Sequence, residues 1–440
     1  MGFGKLCQAV TARLISNQGL VDIFRNFAWL SIDRVIQLVV GLWITAWMAR
    51  YLGPEQFGIW NYAFAFVALI GAFSSLGLDT IVMRDVVQRP ALKNQILGSA
   101  FVIKIISSVA ALLLCVLLAH LLPLKNQLVK FMISVMGLSF LVQAFDVIDF
   151  YFKSQMRSQY VVFARNAAFL ALALVKIGLI LRGAPVGAFA WAFVLEAILA
   201  AILLIACYRA RSGNLAEWKI ERRVTFNLLK SGWPFFWAYI SSILYLRIDQ
   251  VMIGQLLGER SVGIYSVAMR IYDIPFSMLV LLTSATFPKI IELYDRDKEL
   301  FFKRYAQVTT LYTIASLLLL AVFFCLGKTA ISLLFGPAYL EAYPALLVLS
   351  FGLIFVYNGM LRSSYLSVSH NEKLILTTSL FSAALNIVLN YFLIRAYGIV
   401  GSAIATLVTH FVALFLSNYF FEATKRISLI QLEAFYKFKF

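Results

Sequence analysis

Leu52-Gly53-Pro54-Glu55-Gln56-Phe57-Gly58-Ile59-Trp60-Asn61-Tyr62-Ala63 returns 205 residues later as Leu257-Gly258-Glu259-Arg260-Ser261-Val262-Gly263-Ile264-Tyr265-Ser266-Val267-Ala268. The shared frame is Leu-Gly-x4-Gly-Ile-aromatic-x2-Ala, and each copy follows a long apolar run. A weaker echo, at an offset of 214, sets Gly187 opposite Gly401 and Glu196 opposite His410. Two halves in the same order form a parallel repeat, an arrangement found in membrane transporters that bind at the repeat interface. Chance recurrence of Leu-Gly and Gly-Ile pairs in outer turns stays open as an explanation, more so for the second match.

Composition sets the solvent. Of 440 residues, 62% are apolar and 13% charged, with a mean hydropathy of +0.86. Soluble domains run at about 45–50% apolar and about 25% charged, so a water-soluble enzyme is excluded. The 38 Lys and Arg outnumber 21 Asp and Glu, yet the excess lies in short connections and not on a soluble basic face, so nucleic acid is not the expected partner. Cys7, Cys115, Cys207 and Cys325 have neither disulfide nor zinc spacing. No cleavable signal is expected at the start, and Leu6 stands where a myristoylation motif needs Ser or Thr.

At about 20 apolar residues per crossing, the chain reads as an all-α integral membrane protein with twelve transmembrane helices. They lie near 27–49, 59–79, 96–122, 128–150, 161–181, 187–208, 233–257, 263–286, 308–326, 344–361, 374–395 and 398–421. The expected organisation is an N-terminal segment 1–26, an N-lobe 27–208, a linker 209–232, a C-lobe 233–421 and a tail 422–440. One side of the membrane collects 26 Lys and Arg, including Arg165, Arg362 and six in the linker, and the other seven. By the positive-inside rule both termini, the linker and the tail are cytoplasmic. The longest loops, about 209–232 and 287–307, fall on that side, and no outward connection has room for a catalytic domain.

Five cations remain inside spans: Arg34, Lys104, Lys176, Arg247 and Arg270. Each costs roughly 2.5–3.5 kcal/mol to insert at mid-helix, and such residues face a bundle interior or a wet cavity. At about 100° per residue, Ser266, Arg270, Asp273 and Ser277 fall within about 60° of arc, beside the helix-bending Pro275. Asn26, Asp33, Arg34, Gln37, Gly41 and Thr45 share about a third of span one. Ser139, Gln143, Asp146 and Asp149 share a face of span four that continues into Lys153 and Arg157, while Ser382, Asn386 and Asn390 stripe span eleven. Spans one, four and eight are thus expected to line one aqueous vestibule. In span seven Asp249 shares a side with Ser242 and Tyr245, and Arg247 lies on the opposite side.

Glu196 reads as a lone carboxyl on an Ala/Leu helix, a suitable proton or cation site, or else a structural hydrogen-bonding group. Asp33–Arg34 and Arg270–Asp273 read equally as pairs that hold helices together. Asp146 and Asp149 suit the membrane interface as well as a site, and His410 suits a helix interior as well as a proton relay. No phosphate-binding Gly-rich loop, H-E-x-x-H or nucleophile elbow is present, which leaves transport driven by a gradient.

Ala49-Arg50-Tyr51-Leu52-Gly53-Pro54-Glu55-Gln56-Phe57-Gly58 resembles the Wzx-type polysaccharide flippases, of the superfamily that also holds the multidrug and toxin extruders and the lipid II flippases. Arg247-x-Asp249, Gly263-Ile264-Tyr265-x2-Ala268, Pro288, Leu334-Phe335-Gly336-Pro337 and Asn386-Ile387-Val388-Leu389-Asn390 extend the likeness over about residues 20–421. The resemblance implies a two-lobed bundle of twelve helices in the bacterial inner membrane. Its substrate would be an undecaprenyl-pyrophosphate-linked oligosaccharide, moved by alternating access with ion antiport. A cationic cavity would take the pyrophosphate while the tail stays in membrane lipid, with a polysaccharide polymerase and a chain-length regulator as partners. The residues agree with that chemistry. A pyrophosphate needs cationic donors in a low-dielectric cavity, so Arg34, Arg270, Lys104, Lys176 and Arg247 are its candidate ligands. Asp33, Glu196, Asp249 and Asp273 are candidates for coupling H+ or Na+, and no cofactor or metal site is expected. Two further readings stay open: a multidrug or cation antiporter of the same fold, and a polytopic polysaccharide polymerase or glycosyltransferase.

Overall fold

The computed structural model describes residues 17–124 and 126–436. Lys5, Cys7, Arg13, Lys125, Lys437 and Lys439 lie outside the described residues, and the side chains of Arg25, Asn26 and Lys289 outside the described side chains. Among the described residues helix is the only regular structure, in the order α1 (Asn17–Ser75), α2 (Leu78–Gln88), α3 (Lys93–Leu121), α4 (Gln127–Gly137), α5 (Ser139–Val142), α6 (Asp146–Ser154), α7 (Ser158–Leu181), α8 (Val186–Arg211), α9 (Arg222–Leu257), α10 (Glu259–Arg296), α11 (Lys298–Leu334), α12 (Tyr343–Val368), α13 (Glu372–His410) and α14 (Lys425–Tyr436). Helices satisfy every backbone group internally, which lipid requires.

Eight helical stretches among the described residues are long and apolar enough to cross a bilayer, and the chain is a multi-pass membrane protein. Two of them, Ser31–Gln88 and Glu372–Tyr419, run to 58 and 48 residues. At 1.5 Å per residue each is more than twice the roughly 30 Å hydrocarbon core, so neither is one straight crossing. Each bends at a glycine in a conformation that a side chain disfavours: Gly53 at φ 70°, ψ 172° and Gly398 at φ 61°, ψ −141°. The helix after Gly398 folds back so closely that a Cβ on Gly401 would overlap the carbonyl of Leu393.

The repeated motif has matching geometry in its two copies. Gly258 takes φ 90°, ψ 174°, close to Gly53, and each is followed by a residue suited to a first helical turn, Pro54 or Glu259. The copies also touch. A Cβ on Gly58 would overlap the carbonyl oxygen of Glu259, and one on Gly263 would overlap that of Pro54. Each of these positions would lie 3.0 Å from the other glycine's nitrogen. Residues 54 and 259, like 58 and 263, are 205 apart, so the contact is reciprocal.

The chain packs as two compact units. The first comprises residues up to Ile44, Ile70–Leu121 and Ser134–Phe236; its core gathers Leu78, Ile81, Leu97, Ile148, Phe152 and Tyr208. The second comprises Thr45–Leu69, Leu122–Ile133 and the chain from Trp237 onward, so both copies of the motif belong to it.

Two sequence expectations are corrected locally. The expected loop 287–307 continues α10 to Arg296 and restarts α11 at Lys298, because both helices outrun the hydrocarbon. Span four is not one helix: α5 passes through a 3-10 turn, Gln143–Phe145, before α6. At this turn the Gln143 side-chain oxygen accepts from Ser74 Oγ of α1 at 2.9 Å. In the tail, α14 folds back on α11, with Arg426 donating to Glu299 at 2.9 and 3.1 Å.

Candidate functional site

In the first unit, ionised side chains from four helices meet around Arg165 of α7. Its Nη2 lies 2.7 Å from Asp149 Oδ2 and 3.2 Å from Asp146 Oδ1, both on α6. Lys153 is 2.9 Å from Asp149, one helical turn along. Lys104 of α3 stands 3.7 Å from Asp146 and over the Phe150 ring. From α1, Asp33 accepts hydrogen bonds of 2.9 Å from Asn166, the neighbour of Arg165, and from Gln37. Asp149 and Lys104 are buried, whereas Arg165 keeps 42% of its side chain exposed. The interrupted helix makes this possible, because α6 starts at Asp146 and presents both carboxylates to α7.

Three cations thus face three carboxylates: Lys104, Lys153 and Arg165 against Asp33, Asp146 and Asp149. A balanced cluster of this kind can exchange partners. An incoming diphosphate offers a planar guanidinium the same bidentate geometry as a carboxylate, and released carboxylates can take up a cation. Arg165 and Asn166 are not among the candidate site residues of the sequence, where Arg165 counts with the cytoplasmic cations although it falls in phase with Lys176 on span five.

Lys176 and Glu196 lie elsewhere in the unit, on α7 and α8. They form a 2.7 Å ion pair, with 14% and 27% of their side chains exposed. Glu196 is therefore not the lone carboxyl that its apolar helix suggests. A double-mutant cycle checks the coupling: Lys176→Met and Glu196→Met should each lower the melting temperature, and the double variant should lose less than their sum. An interaction of about 0.5–3 kcal/mol is typical of a coupled pair; strictly additive losses would show that the pair does not stabilise the hairpin.

In the second unit the candidates occupy separate surroundings. Arg270 of α10 donates to Thr45 Oγ1 at 2.8 Å. Asp273 lies on the same helix, half-buried, with Ser277 buried beyond it. Arg247 of α9 sits over the Phe64 ring, 5.3 Å from its centroid. Two residues further on, Asp249 is buried, and its Oδ2 accepts from Tyr265 at 2.9 Å and Thr406 at 3.3 Å. Its Oδ1 is buried with no hydrogen-bond partner among the described residues. His410 is buried near the ring of Tyr245, 5.5 Å between centroids. Thr406 is a further residue that the sequence reading missed, and Tyr265 figures there only in the repeated motif. Arg34 is exposed on α1 and belongs to the first unit, whereas Arg270 belongs to the second.

Arg362 is a different kind of correction. Read as a cytoplasmic loop cation, it is 1% exposed in α12 and donates from Nε to Asn418. Asn418 in turn donates to Gln431 of α14 at 2.9 Å. Asn418 thus links this arginine to the folded tail.

The same fold is found among solved transporters. A multidrug resistance MATE family transporter of the MOP superfamily, in an inward-facing conformation, superposes with a TM-score of 0.71 at 16% identity, over 92% of this chain and 99% of that one. The lipid II flippase MurJ, inward closed, gives 0.72 at 15%, over 92% and 90%. In sequence, a capsular polysaccharide biosynthesis protein, CapF of Staphylococcus aureus, is 25% identical over 43% of this chain and 48% of its own length. Agl15 of Haloferax volcanii, named a probable low-salt glycan biosynthesis flippase, is 25% identical over 39% of this chain and 37% of its own. These matches span less than half the length of either relative. Residues 47–344 match the polysaccharide biosynthesis protein family, more than half of the chain and including both copies of the repeated motif, so the chain belongs to that family.

Proposed function

We propose that the protein is a flippase, not an enzyme, that moves undecaprenyl-pyrophosphate-linked oligosaccharide repeat units across the bacterial inner membrane. The proposed cycle is alternating access coupled to H+ or Na+ antiport. With it go twelve crossings, lobes at 27–208 and 233–421, both termini in the cytoplasm, and export handed on to a polymerase and a chain-length regulator.

The observation that carries this reading is the cluster around Arg165. A structural role alone would be served by one ion pair, at lower insertion cost than six ionisable side chains from four helices. Lys104 and Arg165, with Arg34, Lys176, Arg247 and Arg270 as further candidate cations, suit an anionic headgroup, and the membrane-spanning form of the chain suits its lipid tail. Asp33, held by neutral amides, and Asp249, with one oxygen unbonded, suit an exchanging cation, with Asp273 and Glu196 as further candidates. Names of relatives point the same way: a glycan biosynthesis flippase in Haloferax volcanii and a capsular polysaccharide protein in Staphylococcus aureus.

Proteoliposomes carrying a lipid-linked oligosaccharide test the activity directly. The purified protein should bring glycan from the inner leaflet within reach of an external glycosidase, and glycan that stays protected at protein-free levels would refute the reading. Arg270→Ala should abolish glycan movement and surface polysaccharide while membrane insertion stays normal. Export at the wild-type level would remove Arg270 from the mechanism.

A further inference from the structure

We propose that the first turns of α9 form a binding site for the anionic phospholipid headgroups of the bilayer, separate from the transport machinery and independent of the transport reading. At about 100° per residue, Arg222, Phe226, Leu229 and Trp233 fall within about 60° of arc. All four are exposed, Phe226 at 67% and Trp233 at 58%. Arg223 and Lys230 stand beside that stripe, also exposed. Arg222, Arg223, Thr225, Phe226 and Leu229 line a shallow groove of about 500 Å³. Neither arginine makes an ion pair among the described residues, and the nearest acid in sequence, Glu221, precedes the helix.

This face is held in place, not frayed. Leu228, on the opposite side, is fully buried in the core of the first unit. Ahead of the helix, Lys219 N–H donates to the Asn94 carbonyl at 3.1 Å and Trp218 Nε1 to the Tyr208 hydroxyl at 3.0 Å. At 36 residues α9 is about 54 Å long, well beyond the roughly 30 Å of hydrocarbon, so its first dozen residues reach the interfacial zone. There an apolar stripe ending in Trp, with guanidinium groups at its head, matches a lipid in order as well as in kind. The phosphodiester meets Arg222 and Arg223, and the acyl chain runs past Phe226 and Leu229 toward Trp233. Net negative charge is the discriminating feature, because a choline headgroup brings its own cation to the same arginines.

The test uses the full-length protein in nanodiscs of phosphatidylcholine containing about a third phosphatidylglycerol, with either lipid brominated in turn. Subtracting the Trp233→Phe signal isolates quenching of Trp233. Brominated phosphatidylglycerol should quench Trp233 more than brominated phosphatidylcholine after correction for mole fraction. The preference should fall by about fivefold per arginine in Arg222→Gln and Arg223→Gln, vanish in the double variant, and weaken in about 0.5 M salt. Both side chains are exposed, so an unchanged melting temperature identifies a folded variant. Equal quenching by the two lipids in the wild type, or a preference that survives in the double variant, would overturn the proposal. So would displacement of brominated phosphatidylglycerol by stoichiometric undecaprenyl diphosphate, which would assign the groove to the transported lipid.

Discussion

Arg165→Ala is expected to abolish polysaccharide export, and the double variant Arg165→Ala/Asp149→Asn is expected to recover the fold without recovering export. The reasoning separates two consequences of one deletion. Asp149 has 2% of its side chain exposed and loses its 2.7 Å partner when the guanidinium goes. Stripping the partner from a buried charge costs about 3–5 kcal/mol. Lys153, still 2.9 Å away, offsets part of that, which leaves about 2–3 kcal/mol. The loss should appear as a lower melting temperature and less protein in the membrane. Neutralising Asp149 removes the stranded charge and should restore most of the stability, but it supplies no donor for a diphosphate. If the double variant exports normally, Arg165 serves the fold alone and the anion site lies elsewhere. Arg165→Lys refines the test, since a single ammonium can keep the charge that Nη2 presents to Asp146 and Asp149 but lacks the planar fork that grips two phosphate oxygens.

How much of this could be seen in the sequence depended on whether the signal was local. Composition and apolar length gave the solvent and the helices, and the Leu-Gly-x4-Gly frame marked two turns whose glycines share one backbone conformation. Pairing across hairpins was equally available but needs a different question. Lys176 and Glu196 are equidistant from Val186, the first residue of α8, and Asp149 and Arg165 are equidistant from position 157, between α6 and α7. In an antiparallel hairpin such positions face each other at one depth. Asking which charges are equidistant from a turn would have found Arg165 and given Glu196 its partner. Helical phase alone could do neither, because it compares residues on one helix. Lys104 beside Asp146 and Thr406 beside Asp249 had no such signal: their separations of 42 and 157 residues are set by tertiary packing. Arg362 reads as a loop cation because a cation near a span end ordinarily sits in water, whereas in the fold it is buried against Asn418, 56 residues away in sequence.

The second large effect concerns the Gly58–Gly263 contact, at the turns that the proposed topology places on the outward side. Gly58→Ala or Gly263→Ala should each block export, by preventing the two repeat motifs from closing on each other. A methyl at either position enters the partner's backbone carbonyl, which cannot rotate away as a side-chain tip would. Overpacking of this kind costs typically about 1–3 kcal/mol, enough to shift a balanced two-state equilibrium by roughly five- to more than a hundredfold at 1.4 kcal/mol per decade. Neighbouring contacts sharpen the expectation. Gln255 donates to the Tyr62 hydroxyl at 2.6 Å, Tyr339 donates to the Ala49 carbonyl at 2.8 Å, and Arg50 donates to the Leu334 carbonyl at the end of α11 at 2.9 Å. All of them span the same junction and all would be strained by a shift there. A cysteine at position 62 in a background without other cysteines reports the state. It should react slowly with a membrane-impermeant maleimide applied from outside, and markedly faster once Gly58→Ala is added. Because positions 58 and 263 share one contact, combining the two substitutions should add less than the sum of the single effects. Labelling that stays slow in the glycine variants, with export intact, would show that this junction does not separate during transport and that closure depends on other contacts.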